Sequence, residues 1–254
     1  MHPLLDQSLS AERRIQACFQ LQNEEIELAV ELLSQGLFTD PSPIVRHECA
    51  YTLGEISTPQ SIKSLIHAIE TDSNDFVVHE AALALSNLGE GAQYFQNLLK
   101  SNNLDIVCTA EISLQRMKMK KNQQSIEDFT SSYNSLIMDL HKPAEHRIQA
   151  AFKLMKEGSE SSITQLISAM KQESDPIVKH EIIFSLGETA SIIAAEALAQ
   201  ELEKDANLFV IHESLLALGT LGYPDYLPII SSFLEHEHAD IKESAEIAIE
   251  RLQS

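Results

Sequence analysis
Four stretches of this chain align with one another without a gap: SPIVRHECAYTLGEI (42–56), NDFVVHEAALALSNL (74–88), DPIVKHEIIFSLGET (175–189) and NLFVIHESLLALGTL (207–221). Each carries a His-Glu pair at the same place, at His47-Glu48, His79-Glu80, His180-Glu181 and His212-Glu213. The second His follows the first by 32 residues, and the fourth follows the third by 32; the third follows the first by 133, as the fourth follows the second. A duplicated half, itself built of tandem repeats, accounts for all four spacings. The flanks agree. SAERRIQACFQL (10–21) matches PAEHRIQAAFKL (143–154) at the same 133-residue offset, and LDIVCTAEISLQRM (104–117) resembles ADIKESAEIAIERL (239–252) at 135.

Each repeat reads as a helical hairpin. Ser42, Asn74, Asp175 and Asn207 stand five positions before their His, and these side-chain types accept from the first free N–H groups of a helix. Pro43 and Pro176 follow at the first helical position, where a missing N–H costs nothing. Apolar residues then recur at helical spacing, as at Ile44, Val45, Cys49, Tyr51, Leu53 and Ile56. The leading helices are segments such as 60–70 and 161–171. Hairpins of this size stack into an α-solenoid. The predicted fold is all-α, with about eight hairpins in two pseudo-symmetric halves: residues 1–117 with four repeats, a connector over 118–137, and residues 138–254 with four repeats. The connector lacks the repeat pattern and begins basic and polar.

Composition narrows the function. Low Gly and Pro, 8 each in 254 residues, and the absence of Trp favour helices over a sandwich or barrel. A net charge of -20 argues against nucleic acid and against an anionic membrane surface, and attracts a basic partner. No apolar run approaches the ~20 residues that span a bilayer, and the first ten residues lack the apolar core of a signal peptide. Three cysteines without CxxC spacing fit a reduced, cytoplasmic setting and argue against a Cys-rich zinc site.

The His-Glu pairs carry the chemistry. Equivalent positions of stacked repeats lie side by side, so His47-Glu48 and His79-Glu80 line one surface of the first half. His180-Glu181 and His212-Glu213 line the equivalent surface of the second. If the halves face each other, four imidazoles and four carboxylates converge. Two His and one carboxylate make the facial set of non-haem Fe(II) sites, and two such sets make a dinuclear centre. Acidic residues are common at this place in helical repeats, so the Glu residues alone say little. The histidines say more, because the outer repeats have Ile15-Gln16, Cys108-Thr109, Ile148-Gln149 and Glu243-Ser244 at the same register. The residues by themselves leave two other readings open: structural histidines in a metal-free scaffold that binds a basic protein, and a hydrolytic Zn or Mn site. His2, His67, His141, His146, His236 and His238 follow no register, and HEHAD (236–240) reads as a solvated turn.

VRHECAYTLGE and VKHEIIFSLGE, with four His-Glu pairs on the inner repeats, resemble the deoxyhypusine hydroxylase family across nearly the whole chain. The resemblance implies HEAT repeats, two Fe2+ ions and O2 as co-substrate. It implies one iron held by His47, His79 and Glu80, and the other by His180, His212 and Glu213. Glu48 and Glu181 are then the anionic contacts of a cationic substrate, an aminobutyl-lysine on a basic translation factor. Two electrons come from an external donor. The chain departs from the family in having Val78, Lys179 and Ile211 where Arg precedes the His, with only Arg46 conforming. It also has Leu83 and Leu216 at a second Glu, Glu55 and Glu188 in place of Gln, and Ser86 in place of Gly. These departures leave room for a divergent oxygenase acting on another cationic amine.

Overall fold
Capping and packing of short helices build the whole of the computed structural model, which describes residues 2–122 and 133–253 and holds no strand among them. The chain divides into two compact units, Met1–Gln123 and Gln124–Ser254.

In the N-terminal unit a 3-10 turn (Pro3–Leu5) precedes α1 (Ala11–Gln20). Three hairpins follow: α2 (Ile26–Thr39) with α3 (Pro43–Ile56), α4 (Pro59–Thr71) with α5 (Asp75–Asn87), and α6 (Ala92–Leu98) with α7 (Leu104–Lys121). The first repeat therefore keeps its second helix and reduces its first to one turn. The C-terminal unit has four described hairpins: α8 (Tyr133–Met138) with α9 (Ala144–Glu157), α10 (Glu160–Gln172) with α11 (Pro176–Gly187), α12 (Ile192–Leu202) with α13 (Leu208–Leu221), and α14 (Leu227–Ser232) with α15 (Ala239–Gln253). The second helices stack in chain order, α1 on α3 on α5 on α7, and α9 on α11 on α13 on α15. Each unit is thus a short solenoid. Residues 118–121, read as the start of a connector, continue α7, where Lys118, Lys120 and Lys121 complement the negative end of the helix. Residues 133–137 belong to α8, and 123–132 lie outside the described residues.

The central helices are the most enclosed, because each is covered by a helix before it, a helix after it and its own hairpin partner. In α5 every residue from Phe76 to Ser86 is buried, and in α13 every residue from Phe209 to Gly219. A helix apolar nearly all round suits such a place. The ionisable residues found there are the His-Glu pairs, and Ser86 and Ser214 are the other polar ones.

The starts of these helices are fixed locally. Ser42 accepts from Val45 N at 3.1 Å, Asn74 from Phe76 N at 3.0 Å, Asp175 from Ile177 N at 3.0 Å and Asn207 from Phe209 N at 2.9 Å. The expected caps all form. Close helix approach is fixed by glycine. A Cβ on Gly54 would meet Ala84 Cβ at 2.7 Å, and one on Gly187 would meet Ala217 Cβ at 2.9 Å. Gly54 and Gly187 each follow a His by seven residues, about two helical turns, so the tight contact lies on the same helices as the first pair of each unit.

Candidate metal centre
A cation on the second helix of the first two repeats of each unit grips the turn that starts the next second helix. Arg14 pairs with Asp40 through two bonds of 2.8 and 3.0 Å, Arg46 with Asp72 through 2.8 and 3.0 Å, and Arg147 with Glu173 through 2.7 and 3.2 Å. Lys179 reaches Asp205 and Glu201, each at 2.8 Å. The principal acid lies 26 residues beyond its cation in all four cases. The same acids accept the backbone N–H of the capping residue: Asp40 from Ser42, Asp72 from Asn74, Glu173 from Asp175 and Asp205 from Asn207, each at 2.9 Å. The helices so anchored are α3, α5, α11 and α13, the four that carry His-Glu pairs. Val78 and Ile211, which depart from the expected Arg, precede α7 and α15, which carry none. Lys179 performs the task of an Arg, so that departure is chemically conservative here. Burial opposes the charge on Lys179, but the hydrogen bonds it donates to Asp205 and Glu201 outweigh it and raise its pKa above the ordinary 10.5.

All eight residues of the pairs are buried, none more than 8% exposed. In the N-terminal unit His47 Nε2 lies 3.6 Å from Glu80 Oε2, across the α3–α5 packing. In the C-terminal unit His180 Nε2 lies 3.4 Å from Glu213 Oε2, across α11–α13. The two units repeat the same contact: the first His of each meets the second Glu. His180 Nδ1 is also 3.2 Å from Glu181 Oε1. His79 Nδ1 lies 2.8 Å from Thr109 Oγ1 on α7, and His212 Nδ1 lies 2.8 Å from Ser244 Oγ on α15.

The donor set suits a first-row ion. Bonds of about 2.0–2.2 Å to imidazole nitrogen and carboxylate oxygen keep two donors of one ion within about 4.3 Å of each other. The His47–Glu80 and His180–Glu213 separations meet that limit. Buried carboxylates are costly unless a cation or proton accompanies them, which a bound ion would provide. The thiols do not join the set. Cys18 and Cys49 are both fully buried, 3.9 Å apart between α1 and α3, and the hydrogen bond shared with Cys18 together with burial pushes the Cys49 thiol well up. A thiol held protonated is a poor ligand. The other histidines have local duties: His2 caps the first turn, His67 meets the Phe38 ring edge-on at 4.7 Å, and His236 stacks on Phe233 at 6.0 Å. Glu55 and Glu188 are exposed, whereas Leu83 and Leu216 are buried.

Sequence reading passed over Thr109 and Ser244. Both occupy the Glu register of the fourth repeat, and both touch a His of the third. A hydroxyl recurring at that register in both halves was the signal.

Residues 2–86, 30–115 and 163–250 match the family model for HEAT repeats. The chain belongs to the HEAT-repeat family. Its full-length relatives include deoxyhypusine hydroxylase of Drosophila melanogaster, 25% identical over 93% of this chain and 85% of that protein. The Danio rerio deoxyhypusine hydroxylase is 26% identical over 94% and 86%, and deoxyhypusine hydroxylase-B of Oryza sativa is 23% identical over 98% and 90%. The solved structure of human deoxyhypusine hydroxylase in complex with glycerol superposes with a TM-score of 0.83, at 22% identity, over 99% of this chain and 93% of that one, which shows the shared fold. Over nearly its whole length this HEAT-repeat protein is similar to deoxyhypusine hydroxylases.

Proposed function
We propose that this chain is an iron- and O2-dependent monooxygenase that hydroxylates deoxyhypusine on a basic translation factor, with two irons per chain. One iron is held by His47, His79 and Glu80, the other by His180, His212 and Glu213. The observation that carries the reading is the twin contact of His47 with Glu80 and His180 with Glu213, at 3.6 and 3.4 Å in buried surroundings. The relatives' names support the substrate.

Bound ferrous iron supplies the O2 activation that C–H hydroxylation needs, with two electrons and two protons from outside turning the second oxygen atom into water. The chain's own residues do the rest. Two imidazoles and one carboxylate would leave coordination positions open on each ion. Burial keeps bulk water from the reacting centre. Glu48 and Glu181 take the positive charge of the substrate's amine, an arrangement favoured where few other counter-ions reach. The net charge of -20 draws a basic protein toward the enzyme and makes its association depend on salt. No helix among the described residues is long and apolar enough to cross a membrane.

The test is anaerobic loading with ferrous iron, metal analysis, then exposure to O2, a reductant and the deoxyhypusine-bearing factor. Two irons per chain and a gain of one oxygen atom on the factor are expected. Less than one iron per chain sinks the iron reading and favours a metal-free scaffold. Two irons without product on that factor, but with product on another cationic amine, moves the substrate while keeping the centre.

A further inference from the structure
The Glu register of the second helices runs Gln16, Glu48, Glu80, Thr109 in the N-terminal unit and Gln149, Glu181, Glu213, Ser244 in the C-terminal unit. The fourth repeat therefore offers a hydroxyl where the second and third offer carboxylates. Each hydroxyl is buried without exposure, on α7 and α15. Each makes two contacts of the same kind in both units. Thr109 Oγ1 donates to the Asp105 carbonyl at 2.9 Å and lies 2.8 Å from His79 Nδ1. Ser244 Oγ donates to the Asp240 carbonyl at 2.7 Å and lies 2.8 Å from His212 Nδ1.

A hydroxyl has one hydrogen to give. With that hydrogen directed to the carbonyl four residues back, the oxygen faces Nδ1 as an acceptor. Nδ1 must then carry the ring proton, and Nε2 carries the lone pair. A neutral imidazole binds a metal only through its unprotonated nitrogen, so the partner of one nitrogen decides which nitrogen ligates. A carboxylate at this register would add a charge and a competing ligand. A hydroxyl sets the tautomer and adds neither.

We infer that Thr109 and Ser244 are positioning residues that fix His79 and His212 as Nδ1–H tautomers, so that Nε2 is the ligating nitrogen of each. This assigns a task to the fourth repeat of each unit, which holds no His-Glu pair of its own. The inference rests on the metal-centre reading proposed above, and its test separates the two.

In the apo chain labelled with 15N-histidine, long-range 1H–15N spectra report the tautomer of His79 and His212 directly. Protonated Nδ1 with bare Nε2 is expected for both. Thr109→Val should shift His79 toward the other tautomer and leave His212 unchanged, and Ser244→Ala should do the reverse. Thr109→Ser should restore the His79 signature. In chelator competition with Fe2+, Thr109→Val and Ser244→Ala should each weaken one of the two sites by about 10- to 100-fold, with Thr109→Ser near wild type. Circular dichroism melts of the same variants separate this effect from unfolding. The inference is overturned if Nε2 carries the proton in the wild-type apo chain, or if Thr109→Val keeps both sites at wild-type affinity. Should the wild type take up no iron, the metal reading fails, and the apo spectra still decide the tautomer assignment.

Discussion
His180 Nε2 lies 3.4 Å from Glu213 Oε2, one repeat further along the chain, and His47 holds the same relation to Glu80 at 3.6 Å. The contact joins two stacked helices through groups that repel no cation and attract a shared one. On the proposed ligand set, removing the carboxylate removes a ligand from one unit alone. Glu213→Ala is expected to lower iron content from two per chain to one, as is Glu80→Ala, and the double variant should bind none. Metal analysis after anaerobic loading checks this. An unchanged stoichiometry in the double variant would remove both residues from the ligand set.

The cation–acid clasps should matter to stability and to the site together. Arg46 and Asp72 are largely buried and bonded twice, and Asp72 also holds the cap of α5. Leaving such an acid without its cation costs about 3 kcal/mol. Arg46→Met is therefore expected to lower the melting temperature by roughly 6–12 °C, and to weaken iron binding in the N-terminal unit by loosening the start of the helix that carries His79. Arg46→Lys should recover part of both, because Lys179 fills the same place at α11.

That clasp at Lys179 also has a pH signature. Burial opposes the charge of Asp205, and the hydrogen bond from Lys179 overcomes it, holding the carboxyl below its ordinary 3.8. A depressed carboxylate contributes stability above its unfolded pKa and loses it as pH falls through the folded value. Lys179 is raised above 10.5, so its contribution persists below that value and fades as pH rises past the folded one. Wild type should melt higher than Lys179→Met by a constant margin between about pH 4.5 and 10. The margin should shrink on the acid side of the ordinary Asp range and on the alkaline side of the ordinary Lys range. Melting curves of the two proteins across pH measure it. A margin that peaks or vanishes inside the window would assign the stabilisation to another group.

The four caps and the His register were legible because each repeats the same residue type at the same place. Thr109 and Ser244 were read only as missing His-Glu pairs, since a hydroxyl at a carboxylate position looks like loss. The clasps were harder still. Arg14 with Asp40 and Lys179 with Asp205 are complementary residues in neighbouring repeats, 26 positions apart, and comparison of like with like does not pair them. Taken alone, Val78 and Ile211 looked like departures. Next to α7 and α15 they mark the two repeats whose following helix needs no anchored His. The reading of 118–137 as a partly helical connector rested on the loss of the repeat pattern and on composition, and its first lysines lie in the last turn of α7, which accommodates them.

Glycine placement gives a prediction in which two effects oppose. Alanine in a helix interior is better than glycine by up to about 1 kcal/mol. At Gly54, however, the new methyl would stand 2.7 Å from Ala84 Cβ, and neither group can rotate away. Overpacking of this kind costs about 1–3 kcal/mol, so the clash wins. Gly54→Ala should lower stability and, by pushing α3 from α5, separate His47 from Glu80 and weaken iron in that unit. Adding Ala84→Gly should restore iron binding, since it removes the methyl that collides. Denaturant melts and iron titration of the single and double variants check the cycle. Gly187 with Ala217 should behave alike in the other unit.

The carboxylates assigned to the substrate can be told from those assigned to iron by what each variant leaves intact. Glu48→Gln keeps the shape and one acceptor oxygen of the side chain but removes its charge. A hydrogen bond to a charged group contributes about 1.5–3 kcal/mol, so binding of a cationic amine should weaken by roughly 10- to 150-fold. Iron content should stay at two per chain, and KM for the basic substrate should rise far more than kcat falls. Glu181→Gln should share the substrate defect but differ in one respect. Glu181 Oε1 lies 3.2 Å from Nδ1 of His180, so its variant also alters the partner of a proposed ligand histidine and should loosen iron in the C-terminal unit. Iron titration alongside substrate kinetics reads both. If Glu48→Gln loses iron while substrate affinity holds, Glu48 is a ligand and the division of each pair into iron and substrate carboxylates must be reversed.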